Sequence, residues 1–267
     1  MFPKLIKLSI LFVLLLAGYN TASASFTISR PSTHNLGLIG HWTFDGKNVV
    51  NGVALDSSGN GNNGNLVGIA TSTFYSTGRI GQGFDFDGTN DYVKADDNAS
   101  LSITGSLTIS AWIKPVNATV MQSVVSKYDS AGNQRSYFMN ISDTSIGCNA
   151  QELLLAVSST LTPFTGASKC SNAVLSSNKW THAVAVYNAS AQTVDLYIDG
   201  VNQTRAIGAG TIPSSIADSS RDLSIGSSYS NSTTPNAKPF NGGIDDVRIY
   251  NRALSAGEIK ILYNMGR

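Results

Sequence analysis

The sequence predicts an all-β fold, an antiparallel sandwich followed by one short C-terminal helix. Three observations support this prediction. Ten segments alternate apolar and polar residues with the period of two that a half-buried strand requires. Glycine, asparagine and serine dominate the segments between them, as is typical of tight turns. A clear helical pattern occurs once, near the end of the chain, so helices cannot form a layer of their own.

The strands are predicted from their alternation. They cover Leu38–Phe44, Gly83–Asp87, Asp91–Ala95, Leu107–Lys114, Tyr137–Ile141, Glu152–Val157, Lys179–Tyr187, Thr193–Asp199, Asp222–Ile225 and Gly243–Tyr250. In the fourth, Leu107, Ile109, Ala111 and Ile113 share one face, and Trp112 lies on the other. The eighth ends in an Asp-Gly dipeptide that tolerates the positive φ angles of a hairpin turn. Such short, regularly spaced strands favour a sandwich.

The single helix is predicted at Ala256–Tyr263. Ser255 and Glu258 have the S-x-x-E spacing of a capping box, in which each side chain bonds a free backbone N–H group of the first turn. Leu254, just before the cap, can pack on Ile259. We expect this helix to close one end of the fold.

The first 24 residues have the features of a secretory signal peptide. Lys4 and Lys7 precede an apolar run at residues 8–17, and Ala22-Ser23-Ala24 forms an A-x-A cleavage site. We therefore expect residues 25–267 to form a single secreted domain, extracellular or on the cell surface. An uncleaved anchor is the alternative, although the apolar run is shorter than the roughly 20 residues of a membrane span.

Charge gives little indication of a nucleic-acid or membrane partner. Without Lys4 and Lys7, the 18 basic side chains become 16, against 17 acidic ones. A nearly neutral chain does not favour binding to nucleic acid or to an anionic membrane. No second hydrophobic stretch long enough to span a membrane follows the leader.

The two cysteines of the chain, Cys148 and Cys170, are predicted to form a disulfide. Export takes them to an oxidising compartment. They lie 22 positions apart. Closing a loop of that length stabilises a fold by about 3 kcal/mol in the chain-entropy model.

The last predicted strand contains two adjacent carboxylates. With strict alternation, Asp245 shares the apolar face of Val247 and Ile249, whereas Asp246 lies opposite with Arg248 and is exposed. Burying a bare carboxylate costs several kcal/mol. Asp245 therefore requires a cation, an arginine or several backbone N–H donors.

A candidate calcium loop occurs much earlier in the chain. Residues 56–64 contain Asp56, Asn60 and several glycines, serines and asparagines, and so offer many oxygen atoms. Calcium binds six to eight oxygens from carboxylates, amides and backbone carbonyls. A polar turn is the alternative interpretation. The loop is not an EF-hand, because position 12 counted from Asp56 is Val67 and no helices flank it.

Seven segments, taken together and in order, resemble the laminin-G-like domains of the concanavalin A-like lectin and glucanase superfamily. They are Gly40-His-Trp-Thr-Phe-Asp45, residues 56–64, Phe84-Asp-Phe-Asp-Gly-Thr-Asn-Asp-Tyr-Val93, Leu107–Lys114, Trp180-Thr-His-Ala-Val184, Leu196-Tyr-Ile-Asp-Gly200 and Ile244-Asp-Asp-Val-Arg-Ile-Tyr-Asn-Arg-Ala-Leu-Ser255. The resemblance covers about residues 36–264. It implies a two-sheet jelly roll whose N- and C-terminal segments pair side by side.

Domains of this family often hold one calcium ion at a sandwich edge. The resemblance implies Asp56 and Asp245 as the main calcium ligands in this chain, with Asn60 and Asp45 as weaker candidates. A calcium ion that only pins the two ends of the chain together and one that contacts a ligand are both compatible with these residues.

The residues favour a binding module over an enzyme. The only glutamates are Glu152 and Glu258, and the E-x-D-x-x-E pattern of retaining glucanases with this fold is absent from the sequence. We therefore expect no catalysis, and a glycoside hydrolase is the least favoured of three functions. His182 shares a strand face with apolar residues and is interpreted as a core histidine.

The leading hypothesis is a lectin-like module that binds a carbohydrate. Sugar sites combine aromatic platforms with polar hydrogen-bonding groups, and such groups collect on loops of a rigid sandwich. Tyr229, Tyr75 and Tyr128 are the candidate ligand-binding residues, with ordinary packing as the alternative for each. The alternative function is an extracellular adhesion or structural module whose partner is a protein.

Overall fold

Eighteen strands and one α-helix make up the regular structure of the described residues. The computed structural model describes residues 35–69, 75–129, 131–144, 147–229 and 237–267, apart from the side chains of 206–208. The predicted signal peptide therefore lies outside the described residues. The strands are β1 (Leu38–Trp42), β2 (Val49–Val50), β3 (Val53–Ala54), β4 (Gly64–Val67), β5 (Tyr75–Thr77), β6 (Gln82–Asp87), β7 (Tyr92–Ala95), β8 (Leu107–Pro115), β9 (Gln122–Asp129), β10 (Gln134–Ile141), β11 (Glu152–Ser158), β12 (Gly166–Val174), β13 (Thr181–Asn188), β14 (Thr193–Ile198), β15 (Val201–Asn202), β16 (Thr204–Gly210), β17 (Leu223–Ile225) and β18 (Asn241–Tyr250). A 3₁₀ turn at Gly46–Asn48 and the helix α1 (Ala256–Met265) accompany them.

The strands form two antiparallel sheets. Sheet A has the order β15-β14-β13-β8-β18-β6-β5, with β1 also paired to β18. Sheet B has the order β16-β12-β11-β10-β9-β17-β7-β4-β3-β2. The predicted fold class is confirmed: the chain is a nearly all-β, two-sheet jelly-roll sandwich with one short helix at its C-terminal end.

The main hydrophobic core contains apolar side chains from both sheets. In β8, Leu107, Ile109, Ala111 and Ile113 enter it as the alternation predicts, and Trp112 lies on the outer face. Sheet B supplies the corresponding inner side chains of β10 and β11, which are Tyr137, Met139, Ile141, Leu153, Leu155 and Val157. Alternation therefore gives each sheet an inner face and an outer face.

The two ends of the domain meet in sheet A. β1 runs antiparallel to β18, with Leu38 opposite Tyr250 and His41 opposite Arg248. This is the side-by-side pairing of N- and C-terminal segments that the family resemblance implied.

A β-bulge in β18 changes the predicted faces of the two adjacent carboxylates. Asp245 is opposite Trp112 and Arg248 is opposite Ser110, so two residues of β18 face one of β8. Asp246 has a φ angle of 47° at this bulge. Asp245 consequently lies on the outer face with Trp112, and its predicted position beside the core residues was wrong. An extra residue interrupts the period of two, which the sequence pattern could not show.

Helix α1 covers part of the outer face of sheet A. Ser255 and Glu258 form the predicted capping box. Ile259 and Leu262 are buried in a second apolar cluster, which also contains Leu254. Farther along the helix, the ring of Tyr263 stacks on Trp112 with 5.8 Å between centroids. None of the described helices is long and apolar enough to cross a bilayer.

Three of the longer strands were absent from the sequence prediction: β9, β12 and β16. In β9, Lys127 is fully buried, and its Nζ donates to Asp97 Oδ1 and to the Arg221 carbonyl, each at 2.6 Å. A buried lysine breaks the apolar alternation of that strand. β12 is composed mainly of small and polar residues.

Candidate functional site

A groove crosses the outer face of sheet B. Its floor is a row of small side chains on neighbouring strands, because Ala156 is opposite Phe138 on one side and Ser168 on the other, and Ser168 is opposite Ala209. Opposed residues in adjacent strands point to the same face of a sheet. The row therefore runs across four strands, and its small side chains leave space above the sheet.

Aromatic rings form the walls of this groove. The ring of Tyr128 meets Phe138 edge-on at 4.9 Å between centroids and Phe164 at 6.4 Å. Phe164 is 36% exposed. Lys238 places its Nζ 5.5 Å from the centre of the Phe138 ring. The resulting cavity of about 380 Å³ combines aromatic surface, a hydroxyl and a cation. We call it the sheet B groove.

A disulfide lies at the edge of the sheet B groove. Cys148 and Cys170 are bonded, as predicted, with their Cα atoms 5.8 Å apart. They pack in one apolar cluster with Phe138 and Leu154. The crosslink therefore supports the strands that form the floor and one wall.

The two glutamates have structural partners. Both oxygens of the buried Glu152 receive hydrogen bonds from Arg205 Nη1, at 2.9 and 3.0 Å. Glu258 caps α1 and pairs with Arg252 at 2.6 Å. These hydrogen bonds, chiefly from Arg252, lower the pKa of Glu258 to about 2. Both carboxylates thus hold the fold together.

The three predicted ligand tyrosines lie in different places. Tyr128 lines the sheet B groove. Tyr75 is 37% exposed on β5, where its ring packs against Phe84. Tyr229 is only 3% exposed, with Arg221 5.4 Å from its ring centre. Because the body of its ring is covered, Tyr229 does not form the exposed platform that the sequence suggested.

Asp245 is held by the turn between β5 and β6. Its Oδ2 accepts hydrogen bonds from the backbone N–H groups of Arg79 and Ile80, each 2.7 Å long. A Cβ atom on Gly78 would lie 2.6 Å from this oxygen, so the close approach requires glycine. The carboxylate thus has the backbone N–H donors that were one of the three predicted solutions to its burial.

Burial dominates the electrostatics of Asp245. It is fully buried, and its Oδ1 has no hydrogen-bond partner among the described residues. Burial raises the pKa of Asp245 to about 7, against the opposing effect of the Ile80 N–H group. Oδ1 is therefore an oxygen that a cation can use.

Asp45 contacts the same turn. Its Oδ1 accepts the backbone N–H of Gln82 at 2.9 Å, and a Cβ on Gly81 would lie 2.3 Å from that oxygen. Asp45 and Asp245 thus bind opposite ends of residues 78–82, although they are 200 positions apart in the chain. The structure brings this pair to one turn.

Asp56 instead organises its own loop. Its Oδ1 accepts N–H groups of His41 and Ser58, at 2.9 and 2.8 Å. Its Oδ2 accepts from Ser58 Oγ at 2.7 Å and from the N–H of Asn62 at 3.0 Å. Asn60 Nδ2 donates to the Leu38 carbonyl at 3.1 Å. These partners differ from those of Asp245, and the structure does not connect Asp56 or Asn60 to the turn at 78–82.

Asp246 is buried, which contradicts its predicted exposure. It is 5% exposed, and it bonds Arg248 Nε and Nη2, each at 3.0 Å, and His41 Nε2 at 2.7 Å. Burial raises the pKa of Asp246, but the His41 hydrogen bond and the Arg248 charge outweigh it, and the pKa falls to about 2. The bulge places this carboxylate between β18 and β1, whereas strict alternation in the sequence predicted that it is exposed to solvent.

His182 is buried, as predicted, under α1. Its Nε2 lies 2.9 Å from Ser110 Oγ, and its ring packs against both Trp112 and Tyr263. Burial lowers the pKa of His182 to about 3, so the ring is neutral at pH 7. Among the described residues, the one group of three potential metal-binding side chains is Cys148, Glu152 and Cys170. Its two cysteines are already bonded to each other.

The chain belongs to the Concanavalin A-like lectin/glucanases superfamily, whose laminin G-type family model matches residues 87–260. No curated protein shows significant sequence similarity. Solved structures show the same fold at low identity. The binding domain of Paraclostridial Mosquitocidal Protein 1 has a TM-score of 0.61 and 18% identity over 86% of this chain. The chain spans 52% of that structure.

Two further similar structures were solved with carbohydrates. Domain 4 of AbnA, a GH43 extracellular arabinanase from Geobacillus stearothermophilus, was solved with arabinotriose. It has a TM-score of 0.55 and 19% identity, and the match covers 86% of this chain and 98% of that one. The ligand binding domain of botulinum neurotoxin serotype D was solved with N-acetylneuraminic acid. It has a TM-score of 0.57 and 16% identity, over 86% of this chain and 51% of that one.

Proposed function

We propose that this protein is a secreted, non-catalytic module that binds carbohydrate in the sheet B groove. The observation that carries the proposal is the cluster of Tyr128, Phe138 and Phe164 beside a floor of small side chains. Aromatic faces bury the apolar C–H surface of a sugar, while hydroxyl and charged groups bind its hydroxyls. Tyr128 and Lys238 supply those polar groups here.

The shape of the groove favours a chain of sugars over a globular protein surface. The small residues Ala156, Ser168 and Ala209 line up across β11, β12 and β16, next to Phe138 of β10, so open space lies above three neighbouring strands. The clustered rings of Tyr128, Phe138 and Phe164 offer apolar surface beside this space for more than one sugar unit. The related structures with arabinotriose and N-acetylneuraminic acid are consistent with this class of ligand.

A glycan array followed by calorimetry on the best oligosaccharide tests the proposal. We expect Phe164→Ala or Tyr128→Ala to weaken binding by at least tenfold, because each removes stacking surface from a wall of the groove. Tyr75→Ala is the matched control, since Tyr75 is an equally exposed aromatic residue outside this groove. Loss of binding in Tyr75→Ala but not in Tyr128→Ala would refute the groove. Tight binding to a purified extracellular protein with no sugar signal would favour the alternative function.

We also propose a calcium ion at the turn of residues 78–82. The partly satisfied Asp245, with an unpaired buried Oδ1, and the neighbouring Asp45 fit a cation with hard oxygen ligands. Asp56 fits this role poorly because His41, Ser58 and Asn62 already donate to its two oxygens, and the Asn60 amide bonds the Leu38 carbonyl instead. When bound, the ion would neutralise a buried carboxylate and tie β18 to the β5–β6 turn.

Thermal unfolding with calcium and with a chelator tests the calcium proposal. At a concentration 100 times Kd, a bound ion adds about 2.7 kcal/mol to the free energy of unfolding. We expect Asp245→Asn to abolish this shift. Asp56→Asn should lower stability but keep the calcium shift. A wild-type protein whose melting temperature is the same in calcium and in chelator would exclude the ion.

A further inference from the structure

A second pocket lies on the outer face of sheet A, where β6, β18 and β8 meet. Gly243 is the register partner of Asp85 in β6 and of Lys114 in β8. The neighbours of both side chains in sequence, Phe86 and Ile113, enter the core, so Asp85 and Lys114 point outward on either side of Gly243. Asn178 and Asn241 complete the polar lining of a cavity of about 280 Å³.

Two glycines shape the floor of this pocket. A Cβ on Gly243 would lie 2.7 Å from Trp180 Cη2, so the indole rests directly on the backbone of β18. Gly242 has a φ angle of 128°, and a Cβ there would lie 2.2 Å from the Lys114 carbonyl oxygen. The floor therefore consists of the backbone of Gly242 beside the indole ring that covers Gly243. The exposed side chain of Val116 adds apolar surface at the rim.

The two charged groups of the pocket are not used by the fold. Among the described residues, neither the Asp85 carboxylate nor the Lys114 ammonium takes part in a hydrogen bond or an ion pair. Asp87, two residues further along β6, instead accepts the backbone N–H groups of Thr89 and Asn90 and caps the turn. Two strand spacings separate the backbones of Asp85 and Lys114, about 10 Å. This distance is short enough for one ligand to contact both groups.

We propose that this pocket binds a single neutral sugar unit, independently of the sheet B groove. Asp85 accepts hydrogen bonds from sugar hydroxyls, Lys114 donates to them, and the amides of Asn178 and Asn241 do both. Val116 contacts the apolar edge of the ring, and Trp180, which packs on Gly243 at the side of the pocket, responds to its occupancy. A lone cation would be repelled by Lys114 and a lone anion by Asp85, which favours an uncharged polar ligand. The volume lies just below the roughly 300–1,000 Å³ of pockets for drug-sized ligands, which suits one ring.

Because the two sites lie on opposite sheets, the module would engage glycans at two points. Since the outer faces of the two sheets point away from each other, the two sites would bind separate glycans rather than two points on one surface. The pocket would then select a chain end or a branch, while the groove binds along a chain.

Tryptophan fluorescence tests this proposal on the full mature chain. Trp42 and Trp112 are 0% and 1% exposed, so Trp180 is the tryptophan accessible to iodide quenching. We expect titration with neutral pentoses and hexoses, one at a time, to give saturable protection of Trp180 from iodide for at least one sugar. The indole N–H signal of Trp180 in the NMR spectrum should shift at the same concentration.

Variants separate the pocket from the groove. Asp85→Asn and Lys114→Met should each weaken the Trp180 response at least tenfold, with unchanged melting temperatures. Lys179→Met is the matched control, since it removes an exposed charge next to Trp180 outside the cavity lining. Phe164→Ala should leave the Trp180 response intact even though it impairs oligosaccharide binding.

Three results would overturn the pocket: no saturable sugar response at Trp180, an equal loss in Lys179→Met, or the same protection by calcium or inorganic phosphate alone. Loss of groove binding with a retained Trp180 response would refute the groove but not the pocket. If oligosaccharide binding in the groove is retained but no sugar protects Trp180 from iodide, only the pocket would be refuted.

Discussion

The outer faces of the two sheets differ in how much of their surface is covered. On sheet A, α1 covers part of the outer face, and other parts of the same sheet carry buried charges, among them Asp245, Asp246 and Arg248. On sheet B, the corresponding face remains accessible at the groove, with small residues on its floor and rings at its walls. A disulfide, rather than a helix, supports that side.

This difference indicates where binding and stability are located. A buried charge depends on its partner, so removing either member of a buried ion pair strongly destabilises the fold. A face with partly exposed rings keeps surface that folding has not used. We therefore expect substitutions under α1 to act mainly on stability, and substitutions in the sheet B groove to act mainly on binding.

The largest expected effect is in the ion-pair network that Asp246 forms with Arg248 and His41 in sheet A. Asp246→Ala leaves Arg248 buried without its partner, so we expect a loss of about 3–5 kcal/mol in the free energy of unfolding, measured by urea denaturation. Asp96→Ala is the control, because it breaks the Lys94 pair at a site where the Asp96 side chain is 72% exposed. That variant should lose less than about 1 kcal/mol. Similar losses in the two variants would show that Asp246 is solvated.

The disulfide should be the main contributor on the sheet B side. Replacing both Cys148 and Cys170 by serine should lower the free energy of unfolding by about 3 kcal/mol, through the greater entropy of the unfolded chain. Because the bridge packs against Phe138, oligosaccharide affinity should fall as well. Under reducing conditions, the wild type and the double variant should have the same denaturation midpoint. A persistent difference there would assign the effect to packing.

The contribution of His182 to stability should be lost in acid, whereas Asp245, whose pKa is raised to about 7, acts in the opposite direction. The pKa of His182 is about 3 in the folded state against 6.5 for a fully solvated histidine, so the unfolded chain binds the extra proton between these values. This contribution is fully present above pH 6.5 and is lost as the pH falls, by about 1.4 kcal/mol per pH unit. His182→Gln should flatten the stability profile between pH 6.5 and 3, whereas Ser110→Ala, which keeps the imidazole, should retain the slope. Parallel profiles for wild type and His182→Gln would contradict the burial effect.

The smallest effect on stability should be in the groove wall. Phe164 is partly exposed, so Phe164→Ala should change the free energy of unfolding by less than about 0.5 kcal/mol. Differential scanning calorimetry of the variant measures this directly. A loss of several kcal/mol would mean that the ring supports the fold, and the division between the two faces would not hold.

Local patterns predicted much of the fold. The alternation in β8 correctly separated its core side chains from Trp112, and the S-x-x-E spacing correctly located the cap of α1. β12 was missed because the floor of the groove requires small residues such as Ser168, which carry little strand signal. β9 was missed because Lys127 is buried by distant partners.

The sequence alone determined the all-β class, the helix cap, the disulfide and the need of Asp245 for donors, because each follows from residues close together or from simple chemistry. Tertiary structure decided which donors Asp245 receives, that Asp45 rather than Asp56 shares its turn, and that Asp246 is buried. It also decided that Tyr128 joins Phe138 and Phe164 in one groove. These outcomes depend on a single bulge and on pairing between distant strands, and one inserted residue reverses which side chains face each way.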